Sequence, residues 1–145
     1  MARLTREARR EQLLELGAQM IAKVGFDQFS IDELALRAGI SRSLLFHYFD
    51  HRQGFLVAVA EQAAQEVLDV TEPDSTAPPA VQLLSALEGF LDYLAKRGDQ
   101  YVALVRGAAG GDAAMQAVFS RTRAALAQRM IDGVLGEGVG APPMA

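Results

Sequence analysis

Arg42, Ser43, Phe46 and His47 lie close together in the stretch SRSLLFHYF, and their types and spacing suit contact with a nucleic acid. On a helix turning about 100° per residue, Ser43 and His47 point one way and Ser41, Leu45, Tyr48 and Phe49 the other, with Arg42, Leu44 and Phe46 on the flanks. An arginine there can donate to a guanine edge or a phosphate. A serine allows close approach, and a phenylalanine can lie on a thymine methyl or a sugar. A histidine can donate to a phosphate or accept from a base. Arg52 follows in the first turn of the next helix, where free amides and a guanidinium can clamp a phosphate. Other chemistries lack the parts. The chain has no cysteine, and its two histidines, His47 and His51, both belong to this region. No nucleophile–base pair, metal-ligand cluster or phosphate-cradling loop is visible, so neither an enzyme nor a bound cofactor or metal is expected.

These side chains need two helices crossing at a sharp turn, and the stretch from Ser30 to Arg52 supplies them. Ser30 and Glu33 form a capping box, each side chain reaching the other's amide. Ile31, Leu34, Ala35 and Ala38 make the first apolar stripe. Gly39 takes the left-handed conformation that closes the turn, and Ala35 is small where the helices meet. Ile40 fills the corner, and Ser41 caps a helix running to about Tyr48. Asp50 to Gln53 reads as a further cap, with Gln53 as the reciprocal partner.

The remaining chain reads as helices throughout. Thr5 to Val24 carries Leu13, Leu16, Gly17, Met20, Ile21 and Val24 at helical spacing and stops at Gly25. Phe26 and Phe29 follow as core wedges. A long helix after Arg52 presents Phe55, Leu56, Val59, Ala63, Val67 and Val70 on one side and ends before Pro73, where EPDSTAPP interrupts the pattern. Ala80 to Arg97 resumes with Leu83, Leu84, Leu87, Phe90, Leu91 and Leu94. Gly98 breaks it before a short helix to about Gly107. Asp112 caps a last helix to Leu135, with Met115, Val118, Phe119, Leu126, Met130 and Val134 on its apolar side. The expected fold is all-α with about seven helices: a three-helix helix-turn-helix domain over 1–51, a linking helix over 52–72, a partial regulatory region over 80–135 and a flexible tail over 136–145.

Charge is unevenly shared. Residues 1–52 hold eight Lys/Arg against seven Asp/Glu, and the remainder holds six against eleven, so +1 stands beside −5. Four of the arginines, Arg3, Arg6, Arg9 and Arg10, fall in the first ten residues. That end is expected to meet phosphates. No run approaches the ~18 apolar residues of a membrane span, and no signal peptide is visible. A cytoplasmic protein without membrane contact is expected.

Gly25 and Phe26, followed by SIDELALRAGISRSLLFHYFDHRQGFL from Ser30 to Leu56, resemble the TetR family of bacterial transcriptional regulators. The resemblance covers about the first third of the chain; beyond it only the helical layout is similar. It implies that helices one to three bind double-stranded DNA, that the fourth leads to a ligand-binding region, and that members act as dimeric repressors released by a small molecule. By matching position, Arg42, Ser43, Leu44, Phe46 and His47 would meet bases or nearby backbone, and Tyr48, Arg52 and Ser30 phosphates, with Arg3 and Arg6 adding charge. Phe46 stands where a tyrosine is common, Leu44 where a threonine or similar small residue is usual, and Arg52 where a lysine is usual.

In the second region Phe90, Tyr93, Tyr101, Met115 and Phe119 are the candidates for lining an effector cavity. Arg97 and Arg106 are candidates for an anionic ligand. The family usually continues with two further long helices that pair with a partner's, and this chain is expected to lack that dimerisation apparatus. The leading expectation is a sequence-specific DNA-binding repressor released by a small molecule. The alternative is a helical ligand-binding or interaction module without operator binding.

Overall fold

The structure, a computed structural model, describes residues 4–110 and 112–135; Arg3, the side chain of Val134 and the tail over 136–145 lie outside the described residues. Six α-helices account for nearly all of it: α1 Arg6–Gln28, α2 Ile31–Ala38, α3 Arg42–Tyr48, α4 Arg52–Val70, α5 Pro79–Ala109 and α6 Ala113–Leu135. Thr5 caps α1 and Asp112 caps α6, each accepting an amide three residues on, which satisfies donors a helix start leaves free.

The difference from about seven helices comes from α5. The expected break at Gly98 is a kink at Arg97 (φ −133°, ψ 20°), after which the helix continues. Gly25 behaves alike: at φ 78° it leaves helical geometry, and one more turn follows to Gln28.

Phe55, on α4, joins the N-terminal helices to the rest. Its fully buried ring stacks on Phe29 (centroids 5.4 Å apart) and meets the edge of Phe49 (4.9 Å). It also lies flat against Gly17 of α1, where any Cβ would overlap the ring. Leu13, Ile21, Leu34, Leu45 and Leu56 close around it, and Leu104, Met115 and Val118 extend the same core into α5 and α6. Two inward assignments on α1 change. Val24 is 49 % exposed, because Gly25 turns the chain away beneath it, while Leu14, absent from the expected stripe, is buried.

Polar ties fix how α4, α5 and α6 sit. Arg129 of α6 donates to the Leu68 carbonyl (2.6 Å) and the Thr71 hydroxyl (3.2 Å), capping the end of α4. A guanidinium at a helix C-terminus also meets the favourable end of the helix dipole. Arg97 reaches Glu15 of α1 (2.9 Å) and Glu66 of α4 (3.6 Å). Glu66 is held above the usual carboxylate range, first by burial, against the lowering effect of Arg97.

The largest departure concerns α5. Leu83, Leu84, Leu87 and Leu91, which make the helical apolar spacing read from sequence, stand substantially exposed, whereas Tyr93 is buried. The cause is Gly89, which brings α5 so close to the end of α4 that a Cβ there would overlap the Val70 carbonyl oxygen. The side of α5 that bears Gly89 and Tyr93 therefore meets α4, and Leu84, Leu87 and Leu91 stand exposed.

Candidate nucleic-acid interface

The turn between α2 and α3 forms as its residues dictate. Gly39 sits at φ 68°, ψ 31°, and the amide of Ile40 donates to the Ala35 carbonyl at 3.0 Å. Ala35 is buried where the helices approach. Gly39→Val is expected to lower the melting temperature, because a β-branched residue resists positive φ. Space is not the obstacle, since nothing lies within 4 Å of a Cβ there. An unchanged melting temperature would show the turn to be misplaced.

The caps are formed, with two corrections. Ser30 Oγ accepts from the Glu33 amide (3.2 Å), and Ser41 Oγ from the Leu44 amide (3.0 Å). The Glu33 carboxylate does not reach back to Ser30; it accepts from Arg37 at 3.0 Å, one turn along. At α4 the cap is His51, whose Nδ1 accepts from the Gly54 amide (2.9 Å), rather than Asp50. Gln53 is drawn off to Asp112 at the start of α6.

On α3, Leu45 and Phe49 are buried and Phe46 and Tyr48 half-buried against the core. Arg42, Ser43, Leu44 and His47 are exposed on the outer side. The Arg42 guanidinium lies over the Phe46 ring (5.4 Å) and 3.3 Å from Asp32 of α2. Both partners of that pair are well exposed, so it contributes little stability and yields readily to a stronger acceptor. From α1, Arg6 rests over the Tyr48 ring (5.3 Å) and approaches His47 Nε2 at 3.5 Å. That contact uses the tautomer with its proton on Nδ1.

One surface therefore gathers Arg6, Arg42, Ser43, Leu44, Phe46, His47 and Tyr48. Ser30 stands apart at the start of α2, its hydroxyl engaged by the cap. Arg52, expected at a phosphate, instead donates to the carbonyls of Phe26 (2.6 Å) and Phe29 (3.2 Å) and stacks on Phe29. It braces α4 against the end of α1. Arg10, counted from sequence only among the four N-terminal arginines, lies over the Phe49 ring at 5.2 Å. Its place four residues after Arg6 was the available signal. The Asp32–Arg42 pair, across two helices, had none.

The effector candidates do not line one cavity. Tyr101 meets Phe90 (5.8 Å) and Tyr93 (6.3 Å) edge-on. Burial, with the nearby Glu66 carboxylate, pushes the Tyr93 hydroxyl up to about 12. Met115 is a core residue and Phe119 packs on the same core. Only Phe90 lines the apolar groove of about 310 Å³ between α5 and α6, together with Leu83, Leu87, Leu126 and Met130. Arg97 is committed to its carboxylates, while Arg106 borders a wider, polar cleft between the end of α1 and the second half of α5. Among the described residues, no helix is long and apolar enough to cross a membrane.

Comparison with known proteins matches the same stretch of chain. Residues 13–59, which include all of α2 and α3, match the family model of bacterial regulatory proteins of the tetR family. The HTH-type transcriptional regulator BetI of Cronobacter sakazakii is 31 % identical over 88 residues, covering 58 % of this chain and 44 % of that protein. The HTH-type transcriptional activator FasR of Mycolicibacterium smegmatis is 28 % identical over 94 residues, covering 63 % and 43 %. The matched stretch thus spans less than half the length of these relatives. A crystal structure of a tetR-family transcriptional regulator from Streptomyces coelicolor superposes with a TM-score of 0.79 at 28 % identity, over 97 % of this chain and 62 % of that one. The matched residues build the helix-turn-helix and its braces, and over 13–59 this chain is similar to the tetR family of bacterial regulatory proteins.

Proposed function

We propose that the chain reads duplex DNA as part of a transcriptional regulator, a repressor that a small molecule releases from its operator. The observation that carries this reading is the outer face of α3, where Arg42, Ser43 and His47 stand clear of a fully packed inner face. α3 would enter the major groove with Arg42 toward a guanine edge and Leu44 and Phe46 toward thymine methyls. Arg6, Tyr48 and the start of α2 at Ser30 would meet phosphates, with Arg3 adding charge. Asp32 holds Arg42 in place until a base or phosphate takes over its guanidinium. Arg52 acts behind this surface, by fixing α4 to α1.

The effector would enter among α4, α5 and α6, and Phe90 is the expected residue best placed to touch it. The regulator would act in the cytoplasm, where its operator is, and no catalytic step is assigned to it.

Arg42→Ala and His47→Ala test the assignment. Each is expected to weaken binding to an operator duplex by about 1–3 kcal/mol, roughly 5- to 150-fold, with the melting temperature unchanged because both side chains are exposed. Equal affinity of both variants and the parent, measured by fluorescence anisotropy, would overturn the site. Absence of duplex binding by the parent at low salt would favour the helical module without operator binding.

A further inference from the structure

Among the described residues of the α3 face, Arg42 is the one basic side chain paired with a carboxylate. Its Nη1 lies 3.3 Å from Asp32 Oδ1, across the turn on α2. Arg6 and Arg10 rest instead on neutral rings, those of Tyr48 and Phe49. Arg37 and Glu33, one turn apart on α2, pair by helix spacing alone, whereas Asp32 and Arg42 meet only because the turn at Gly39 brings α2 across α3. The Phe46 ring lies under the same guanidinium, 5.4 Å away. A ring on one face and a carboxylate at one edge fix both the place and the plane of the Arg42 head. The pair adds little stability, since both side chains are well exposed. On a surface that meets phosphates, an acidic group also opposes binding at every site alike.

We propose that Asp32 is a specificity-determining residue: it withholds Arg42 from phosphates and yields it to a guanine edge. This rests on the DNA reading above. Phosphate contacts supply nearly all non-specific binding, so an arginine free to reach them tightens every sequence equally. Arg42 can take a phosphate only by leaving Asp32, whose bare carboxylate then faces that phosphate. One ion pair is exchanged for another, and a like-charge contact is added. A guanine edge is different. It presents two neutral acceptors, O6 and N7, which a guanidinium meets in a bidentate contact, and it sets no second negative charge against Asp32. The guanidinium also arrives with its plane already fixed by Asp32 and Phe46, so it loses less side-chain freedom on binding. The carboxylate thus weakens wrong sites more than the right one, and selectivity is raised by disfavouring the competitors.

Two probes separate the effects: a pool of short duplexes of mixed sequence, and the duplex that the parent chain enriches from that pool by repeated selection. Asp32→Asn keeps the shape of the side chain and removes its charge. It is expected to tighten binding to the mixed pool roughly 2- to 5-fold, the size of an exposed ion pair. The salt slope on the pool should steepen by about one, for one further phosphate. Affinity for the enriched duplex is expected to stay as it was, so the ratio of the two affinities falls by the factor gained on the pool. The melting temperature should hold, because Asp32 is exposed. In an Arg42→Ala background the same substitution is expected to leave the ratio unchanged, since the arginine it restrains is gone. Equal tightening on both duplexes, no change on either, or the same loss of selectivity without Arg42 overturns the assignment of Asp32 and leaves the DNA reading standing. So does a parent that binds duplex DNA and enriches no sequence. A parent that binds neither duplex at low salt overturns both.

Discussion

Phe55→Ala is expected to destabilise the chain by about 3–5 kcal/mol, the range for emptying a buried aromatic site. Its ring is fully buried and touches Gly17 of α1, Phe29 before α2 and Phe49 at the end of α3. Leucine would fill part of the space, but neither the parallel stack with Phe29 nor the edge contact with Phe49 survives without a ring. Because the site lies where α4 meets the three N-terminal helices, its loss should loosen α3 along with the core. Denaturant unfolding is therefore expected to show a lower midpoint, and DNA affinity should fall although Phe55 touches no base. A loss below about 1 kcal/mol, as for an ordinary surface change, would contradict the packing described here.

Gly89→Val is the second large effect. On helix propensity alone, replacing a glycine inside an exposed helix stabilises by a few tenths to about 1 kcal/mol. Here the added Cβ meets the main-chain oxygen of Val70, which has no rotamer to move into. α5 must then back away from the end of α4, and overpacking of this kind costs about 1–3 kcal/mol or more. The clash outweighs the propensity gain, and a net loss of about 2 kcal/mol is expected. Gly98→Ala is the control: nothing stands within 4 Å of a Cβ there, so it should stabilise slightly. Thermal melts of the two variants moving in the same direction would contradict this account.

These two sites show what sequence reveals and what it conceals. The N-terminal unit is legible because its signals are local. Ser30 and Ser41 cap, Gly39 turns, and Leu45 and Phe49 fall on one side of α3 by spacing alone. The outer face follows by elimination. The same reasoning failed on α5, where the apolar stripe is wider than one neighbour can cover. Spacing cannot say which part of it turns inward, and Gly89 decides that through a contact with Val70 far away in sequence. Arg52 shows a further limit. A basic residue at a helix start suits a phosphate, yet two nearby carbonyls claim it, and only the folded path of the chain from Phe26 to Phe29 brings them there. Apolar type alone likewise could not separate Phe90, on the groove, from Met115 and Phe119, which serve the core.

The central claim, that the face bearing Arg42 and His47 reads duplex DNA, is tested most directly by the salt dependence of duplex binding by the parent chain. Neutralised phosphates release counterions, and each contributes about −0.9 to the slope of log affinity against log salt. Binding at low salt that falls steeply as salt rises, with Arg6→Ala making the slope shallower by about one, is the predicted result. No binding to duplex DNA at low salt, or binding indifferent to salt, would contradict it.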